Sequence, residues 1–262
     1  MIENKSYQIY GILNVTPDSF SDGGNYTDPD AALRHALMMI GDGADVIDIG
    51  GMSTRPGFED VPEDEEISRI VPVIGRLKKE RPDCVISVDT FRSGTAARAL
   101  DAGADIINDI SGLMGDQKMA DTVSKAGAGI IIMRNGLVPY SNDYHGVFAQ
   151  SIMRAREAGI GEDKIILDPG VGFGTTRDED MHLISAVSEI RLRWGYPVLL
   201  GVSRKRVTSL FYNGTTRADE RDGASVAMAV YGVRAGAYAV RVHNVKQTYA
   251  ALKAMEALER EA

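Results

Sequence analysis

Cys84 is the only thiol in this 262-residue chain, so neither an intrachain disulfide nor a thiolate metal cluster is available to it. It opens an apolar run and reads as a small buried hydrophobe, not a nucleophile. Long apolar stretches are also missing: none approaches the roughly 20 residues that span a bilayer. The opening MIENKSYQIYGIL has no basic stretch leading into an apolar one, so no signal peptide is expected and the chain reads as cytoplasmic. Positive charge is in deficit, with 29 Lys and Arg against 37 Asp and Glu and a net charge of −8. That excludes bulk attraction to nucleic acid or anionic membrane, but not a small anion met by a few local cations. Of four histidines, His35, His145 and His182 fall in or beside helical segments and read as solvent-facing. No histidine cluster suggests zinc, and no Ser/His/Asp or Cys/His set is evident. Binding and electrostatic stabilisation are favoured over covalent catalysis. No linker, low-complexity tract or Pro/Ser-rich boundary divides the chain, so residues 1–262 read as a single domain.

What is present is a series of short apolar runs, nearly all ending at a polar residue able to contact a ligand. Tyr7–Leu13 stops at Asn14, and Asp45–Ile49 carries Asp48 and opens into Gly50-Gly51. Val85–Val88 stops at Asp89, Ala104–Ile107 at Asn108, Gly129–Met133 at Arg134 and Lys164–Leu167 at Asp168. Val198–Val202 opens into Ser203-Arg204-Lys205, and Tyr238–Val242 carries Arg241 and ends at His243. Between these runs lie segments of helical period: Ala31–Asp42, Glu65–Lys78, Ala96–Ala102, Met119–Ala126, Val147–Ala158, Asp180–Trp194, Ala224–Ala235 and Lys246–Leu258. Such alternation predicts βαβ units on a parallel sheet. Eight strands with at least eight helices in this length predict an α/β fold, a closed (β/α)8 TIM barrel, better than an open doubly wound sheet. In such barrels the site lies at the C-terminal strand ends, where the polar residues fall. The glycines near Gly43, Gly103, Gly127, Gly159 and Gly236 follow helices and read as structural caps on the opposite rim.

Several loops are rich enough to do chemistry. GILNVTPDSFSDGG, with Asn14 at the strand end and Asp18, Phe20 and Asp22 farther out, reads as a lid or as a solvated turn. DIGGMSTRPG supplies Arg55, a fixed cation for phosphate or carboxylate beside small residues, or an ordinary surface arginine. Asp89, Asn108, Asp109 and Asp168 can match the donor–acceptor edge of a heterocycle, hold a divalent metal, or merely cap the following helices. DPGVGFGTT lacks the Gly-Lys-Ser/Thr ending of a P-loop. Its glycines read as clearance for a flat ligand, with Phe173 as a wall. VSRKR reads as the start of a helix whose amides could take a carboxylate, with Lys205 turned into the mouth. Arg241 and His243, two apart on a strand, share a face and suit a diphosphate.

These segments resemble the dihydropteroate synthase family, pterin-binding TIM barrels of folate biosynthesis. GILNVTPDSFSDGG and DIGGMSTRPG are similar to its two signatures, and SVDTFR, INDISG, ILDPGVGFG, GVSRKR and RVHNV follow in family order. The resemblance covers nearly the whole chain. It implies a transferase joining 6-hydroxymethyl-7,8-dihydropterin diphosphate to p-aminobenzoate, with release of diphosphate and 7,8-dihydropteroate. It further implies that Asp89, Asn108, Asp168 and Lys205 hold the pterin. Asn14, Arg241 and His243 would hold the diphosphate, with Asn14 also touching Mg²⁺. Thr54, Phe173, Ser203 and Lys205 would line the p-aminobenzoate side. Catalytic work would fall to Arg55, Asp89, Lys205, Arg241 and His243. A homodimer is expected on the same ground. A pterin-binding paralogue with little synthase activity, and a methyltetrahydrofolate:corrinoid methyltransferase, are the neighbouring alternatives. The chain departs from the family pattern at Met52 (usually Glu), Arg134 (usually His), Thr175 (often Lys) and Asn244 (often Asp), and in a shortened stretch from Met133 to Gly159.

Overall fold

The computed structural model describes residues 7–16, 29–52, 61–135, 144–214 and 216–261. Eight parallel strands appear in chain order: β1 (Gln8–Asn14), β2 (Val46–Gly50), β3 (Val85–Asp89), β4 (Ile106–Asp109), β5 (Gly129–Met133), β6 (Ile165–Asp168), β7 (Leu199–Leu200) and β8 (Ala239–Val242). They pair in the order β6-β5-β4-β3-β2-β1-β8-β7. A parallel bridge between Leu167 and Val198, with the Leu167 amide donating to the Pro197 carbonyl at 2.9 Å, joins the two ends of that order. The fold is therefore the expected (β/α)8 barrel.

The helices are α1 (Pro29–Gly41), α2 (Glu63–Glu80), α3 (Ser93–Asp101), α4 (Met119–Ala126), α5 (Tyr144–Glu157), α6 (Arg177–Ser185), α7 (Val187–Trp194), α8 (Asp222–Arg234) and α9 (Val245–Arg260). Local chemistry accounts for several of them. Four acids in the first turn of α2 and Lys78 and Lys79 in its last suit the helix dipole, and Ile70, Val73, Ile74 and Leu77 bury one stripe. A capping box between Thr176 and Glu179 starts α6. The segment expected as one helix over Asp180–Trp194 is two. They meet at Ala186, whose amide donates to the His182 carbonyl at 2.9 Å, and the Ser185 hydroxyl donates to the same carbonyl at 2.7 Å.

Side-chain alternation divides the core into two layers. Tyr10, Val46, Ile131, Leu199 and Ala239 fill the barrel interior. Their outward-facing neighbours, such as Ile9, Ile47, Ile130, Ile132 and Val240, pack with helix residues in a larger cluster. The apolar plug inside the barrel forms a floor, and one pleat above it Asp48 follows Val46 and Arg241 follows Ala239. Cys84 is buried, and burial pushes its thiol up to about 11, in keeping with a structural role. None of the helices among the described residues is long and apolar enough to cross a membrane.

Candidate active site

The register sets the polar layer. Asp48 stands one pleat above Val46, and Arg241 one pleat above Ala239. Arg241 Nε donates to Asp48 Oδ2 at 2.5 Å, and Arg241 Nη2 donates to Asp89 Oδ2 at 2.7 Å. The guanidinium is thus fixed across β8, β2 and β3. Burial works against its charge, but Asp48 and Asp89 outweigh that and hold it above the ordinary arginine value. Asp89 is raised by burial, against the pull of Arg241. Asn108 follows Asp89 in the register and is buried. Oδ1 of Asp48, Oδ1 of Asp89 and Oδ1 of Asn108 are all buried without a hydrogen-bond partner among the described residues. Orphaned acceptors of this kind cost free energy unless a ligand satisfies them.

Across the mouth, Asp168, Lys205 and Arg241 converge on Gly201. A Cβ at that glycine would lie 3.5 Å from Asp168 Oδ2, 3.8 Å from Lys205 Nζ and 3.9 Å from Arg241 Cβ. Asp168 Oδ1 takes the Gly170 amide at 2.7 Å, which leaves Oδ2 on the Gly201 side. Burial raises Asp168 above the usual carboxylate range despite Lys205 nearby. Burial also pushes Lys205 down to about 8, against the pull of Asp168. Its Nζ donates to the Val171 carbonyl at 2.5 Å and lies 4.7 Å from the Phe173 ring centroid. Ser203 and His243 meet next to this group: Ser203 Oγ lies 2.9 Å from His243 Nδ1 and accepts from the His243 amide at 3.1 Å. Arg241 and His243 therefore engage different partners, although they follow one strand.

Asn14 ends β1 opposite Gly50, and Gly50 pairs with Asp89. A Cβ at Gly50 would lie 3.8 Å from Asn14 Oδ1 and 3.7 Å from Asp89 Cβ, so the glycine keeps the space between them open. Thr54 and Arg55, together with Asp18, Phe20 and Asp22, lie outside the described residues.

Other expectations are corrected. Asp109 spends its carboxylate on its own loop, accepting from the Ser111 amide, the Ser111 hydroxyl and the Leu113 amide at 2.7 to 2.8 Å. VSRKR does not open an α-helix: Arg204 is left-handed at φ 58°, and only a six-residue 3-10 turn, Arg206–Phe211, follows. A carboxylate seat on helix amides is therefore absent there. Two of the glycines after Asp168 make room for protein atoms. A Cβ on Gly170, whose φ is +73°, would sit 1.7 Å from the Arg134 carbonyl oxygen, and one on Gly172 would press on the Lys205 stem. His145 does not face solvent, because it lies between Glu189 and the Trp194 indole, while His35 is half-buried and only His182 is exposed. Asn244 caps α9 and donates to Asp222, which in turn holds Arg204.

Asp48 is absent from the site residues that the resemblance assigns, although it anchors Arg241. Its signal was a charged residue in the middle of an otherwise apolar strand run, where a buried acid needs a cationic partner. The structure also brings two departures together. Arg134 is only 3% exposed, and its electrostatic neighbours are Glu179 and Asp180. Thr175 Oγ1 donates to the same Asp180 at 2.5 Å.

A parallel barrel whose mouth joins orphaned acceptors to fixed cations defines a class of small-molecule enzyme with a polar heterocyclic, anion-bearing substrate. A family model described as pterin binding enzyme matches residues 10–243. A dihydropteroate synthase of Bacillus subtilis is 46% identical over 257 residues, covering 95% of this chain and 88% of that protein. The crystal structure of a Clostridium difficile dihydropteroate synthase, determined in the presence of pteroic acid, superposes with a TM-score of 0.90 at 40% identity, covering 96% of each chain. A Xanthomonas albilineans dihydropteroate synthase with 4-aminobenzoic acid gives 0.90 at 37% identity, covering 97% of this chain and 93% of that one. The chain belongs to the pterin-binding enzymes and, within them, to the dihydropteroate synthase family. Its activity is that of a transferase of folate biosynthesis.

Proposed function

We propose that the chain condenses 6-hydroxymethyl-7,8-dihydropterin diphosphate with p-aminobenzoate by a dissociative substitution staged in this barrel mouth. The observation that carries the assignment of roles is the set of buried, unpartnered acceptors on Asp48, Asp89 and Asn108. They complement the donor edge of a pterin, and Asp168 Oδ2 and Lys205 Nζ supply an acceptor and a donor from the opposite side. The bond from the pterin CH₂ to the diphosphate oxygen breaks first, and the electron-rich ring delocalises the cation that develops. The neutral arylamine then forms the new C–N bond and gives up a proton. Positioning and charge stabilisation do the work, without a covalent enzyme intermediate.

Two carboxylates hold Arg241 in place, which leaves Nη1 as a donor toward the leaving diphosphate. His243 and Asn14 complete that side. Phe173, Ser203 and the Lys205 stem form the p-aminobenzoate side, joined by Thr54, and Arg55 is assigned to the charge-managing set. The donor set also fits Mg²⁺. No group of three or more His, Cys, Asp or Glu among the described residues could cage a metal, yet Mg²⁺ commonly takes one or two protein oxygens and fills its octahedron with phosphate and water. Asn14 Oδ1 beside open Gly50 is such an oxygen. When bound, Mg²⁺ would neutralise charge on the diphosphate. A cytoplasmic homodimer completes the proposal.

The test is formation of 7,8-dihydropteroate by purified protein supplied with both substrates and Mg²⁺. Product in proportion to enzyme supports the assignment. Tight pterin binding without product would make the chain a binding paralogue instead, and binding of a corrinoid partner would move it to the methyltransferases.

A further inference from the structure

Arg134 follows β5 and is tied to β6 by its amide, which donates to the Asp168 carbonyl at 2.9 Å. Along β5, Ile131 faces the barrel interior, while Ile130 and Ile132 belong to the layer between sheet and helices. Arg134 continues the outward series, so its side chain runs behind the mouth toward α6. It is only 3% exposed, yet Nε and Nη1 have no hydrogen-bond partner among the described residues. An unpaired buried guanidinium is costly, and a buried arginine normally has a counter-charge.

The acids that act on the charge of Arg134 are on α6, Glu179 at the helix edge and Asp180 behind it in the core. Asp180 is fully buried in the first turn of α6. Its Oδ1 accepts from the Gly172 amide at 2.6 Å and from the Thr175 hydroxyl at 2.5 Å, and its Oδ2 has no partner among the described residues. Burial lowers the Arg134 pKa, and Glu179 and Asp180 act against that fall. Two orphaned donors and one orphaned acceptor of opposite charge thus belong to residues that both bond to the Asp168–Thr176 segment, Arg134 through its amide and Asp180 through its other carboxylate oxygen. Arg134 meets that segment a second time through its carbonyl, which fills the space that Gly170 leaves.

We propose that Arg134 is a positioning residue for the Asp168–Thr176 loop: paired with Asp180 behind that loop, it holds the Val171 carbonyl under Lys205 and the Phe173 ring beside it, and so sets the p-aminobenzoate side of the site. The attraction acts through space or a bridging water. This inference rests on the synthase assignment above.

The test compares Arg134→Met, Arg134→Lys, Asp180→Asn and the double variant Arg134→Met/Asp180→Asn in the full-length chain. KM for each substrate, kcat and the melting temperature are read for each. Arg134→Met and Asp180→Asn should each raise the KM for p-aminobenzoate about tenfold, equivalent to about 1.4 kcal/mol. The KM for the pterin diphosphate should rise less, by about threefold, since Asp48, Asp89 and Asn108 are untouched and only Asp168 and Lys205 adjoin the loop. Arg134→Lys should recover most of the loss by keeping the charge. The double variant should lose less than the two single effects combined, as coupled residues do. If Arg134→Met fails to fold, the KM split in Asp180→Asn and Arg134→Lys decides. Unchanged p-aminobenzoate KM in the folded variants, or an equal rise in both KM values, overturns the inference while wild-type turnover stands. An inactive wild type would instead sink the synthase assignment.

Discussion

On the β8–β1–β2–β3 arc of the mouth, Arg241 is clamped between Asp48 and Asp89, and each carboxylate still has one oxygen to offer. On the β5–β6–β7 arc no such clamp is found among the described residues. Asp168 and Lys205 lean on backbone groups of the loop between them, the Gly170 amide and the Val171 carbonyl, and Arg134 is orphaned behind it. The first arc is stiffened by side-chain ion pairs across strands. The second is only as well placed as one glycine-rich loop. Ligand affinity should therefore break differently on the two sides: through lost charge balance on the first arc, and through loop geometry and proton balance on the second.

The largest effect expected is that of Arg241→Met. It leaves two buried carboxylates facing each other without their cation and should cost about 3–5 kcal/mol in a denaturant or thermal melt. In the folded fraction it should weaken the pterin diphosphate more than plain hydroxymethyl pterin. Equal weakening of both would remove the charge-managing role of that arc. Next comes Asp168→Asn, which should lose about 1.5–3 kcal/mol of pterin binding, or roughly 10–100-fold in affinity by calorimetry. Unchanged affinity would mean that the second arc does not read the pterin.

A smaller, pH-dependent effect sharpens the contrast. Lys205 is pushed down to about 8 by burial, so its ammonium is present below that pH and lost above it. The kcat/KM for the pterin diphosphate should fall on the alkaline side with a midpoint near there. Lys205→Arg should abolish that limb at a lower plateau, because a guanidinium does not deprotonate. An unaltered alkaline limb in the variant would assign the titration elsewhere. Smallest of all, Ser203→Ala removes the hydroxyl beside His243 and should cost about 0.5–1.5 kcal/mol in diphosphate-ligand affinity. A larger loss would show that the serine touches the diphosphate itself.

The two arcs were also unequally legible from sequence. Polar residues at the ends of apolar runs placed Asn14, Asp89, Asn108, Asp168 and Arg241 on one rim, because strand alternation and the barrel rule need only local pattern. The Arg241–Asp48 pair spans 193 positions, and no local pattern reports a partner so distant. Arg134 was legible as an anomaly but not in its direction: that depends on which face of β5 the plug residue Ile131 takes, and hence on the register of the whole sheet. The helix expected over Asp180–Trp194 is interrupted at Ala186, a break that apolar periodicity does not see.

Diphosphate release in matched reactions, with pterin diphosphate and Mg²⁺ present and p-aminobenzoate either added or withheld, tests the central claim most directly. Release well above background and strongly increased by p-aminobenzoate is the predicted result. No release above background, or release indifferent to p-aminobenzoate, would contradict it.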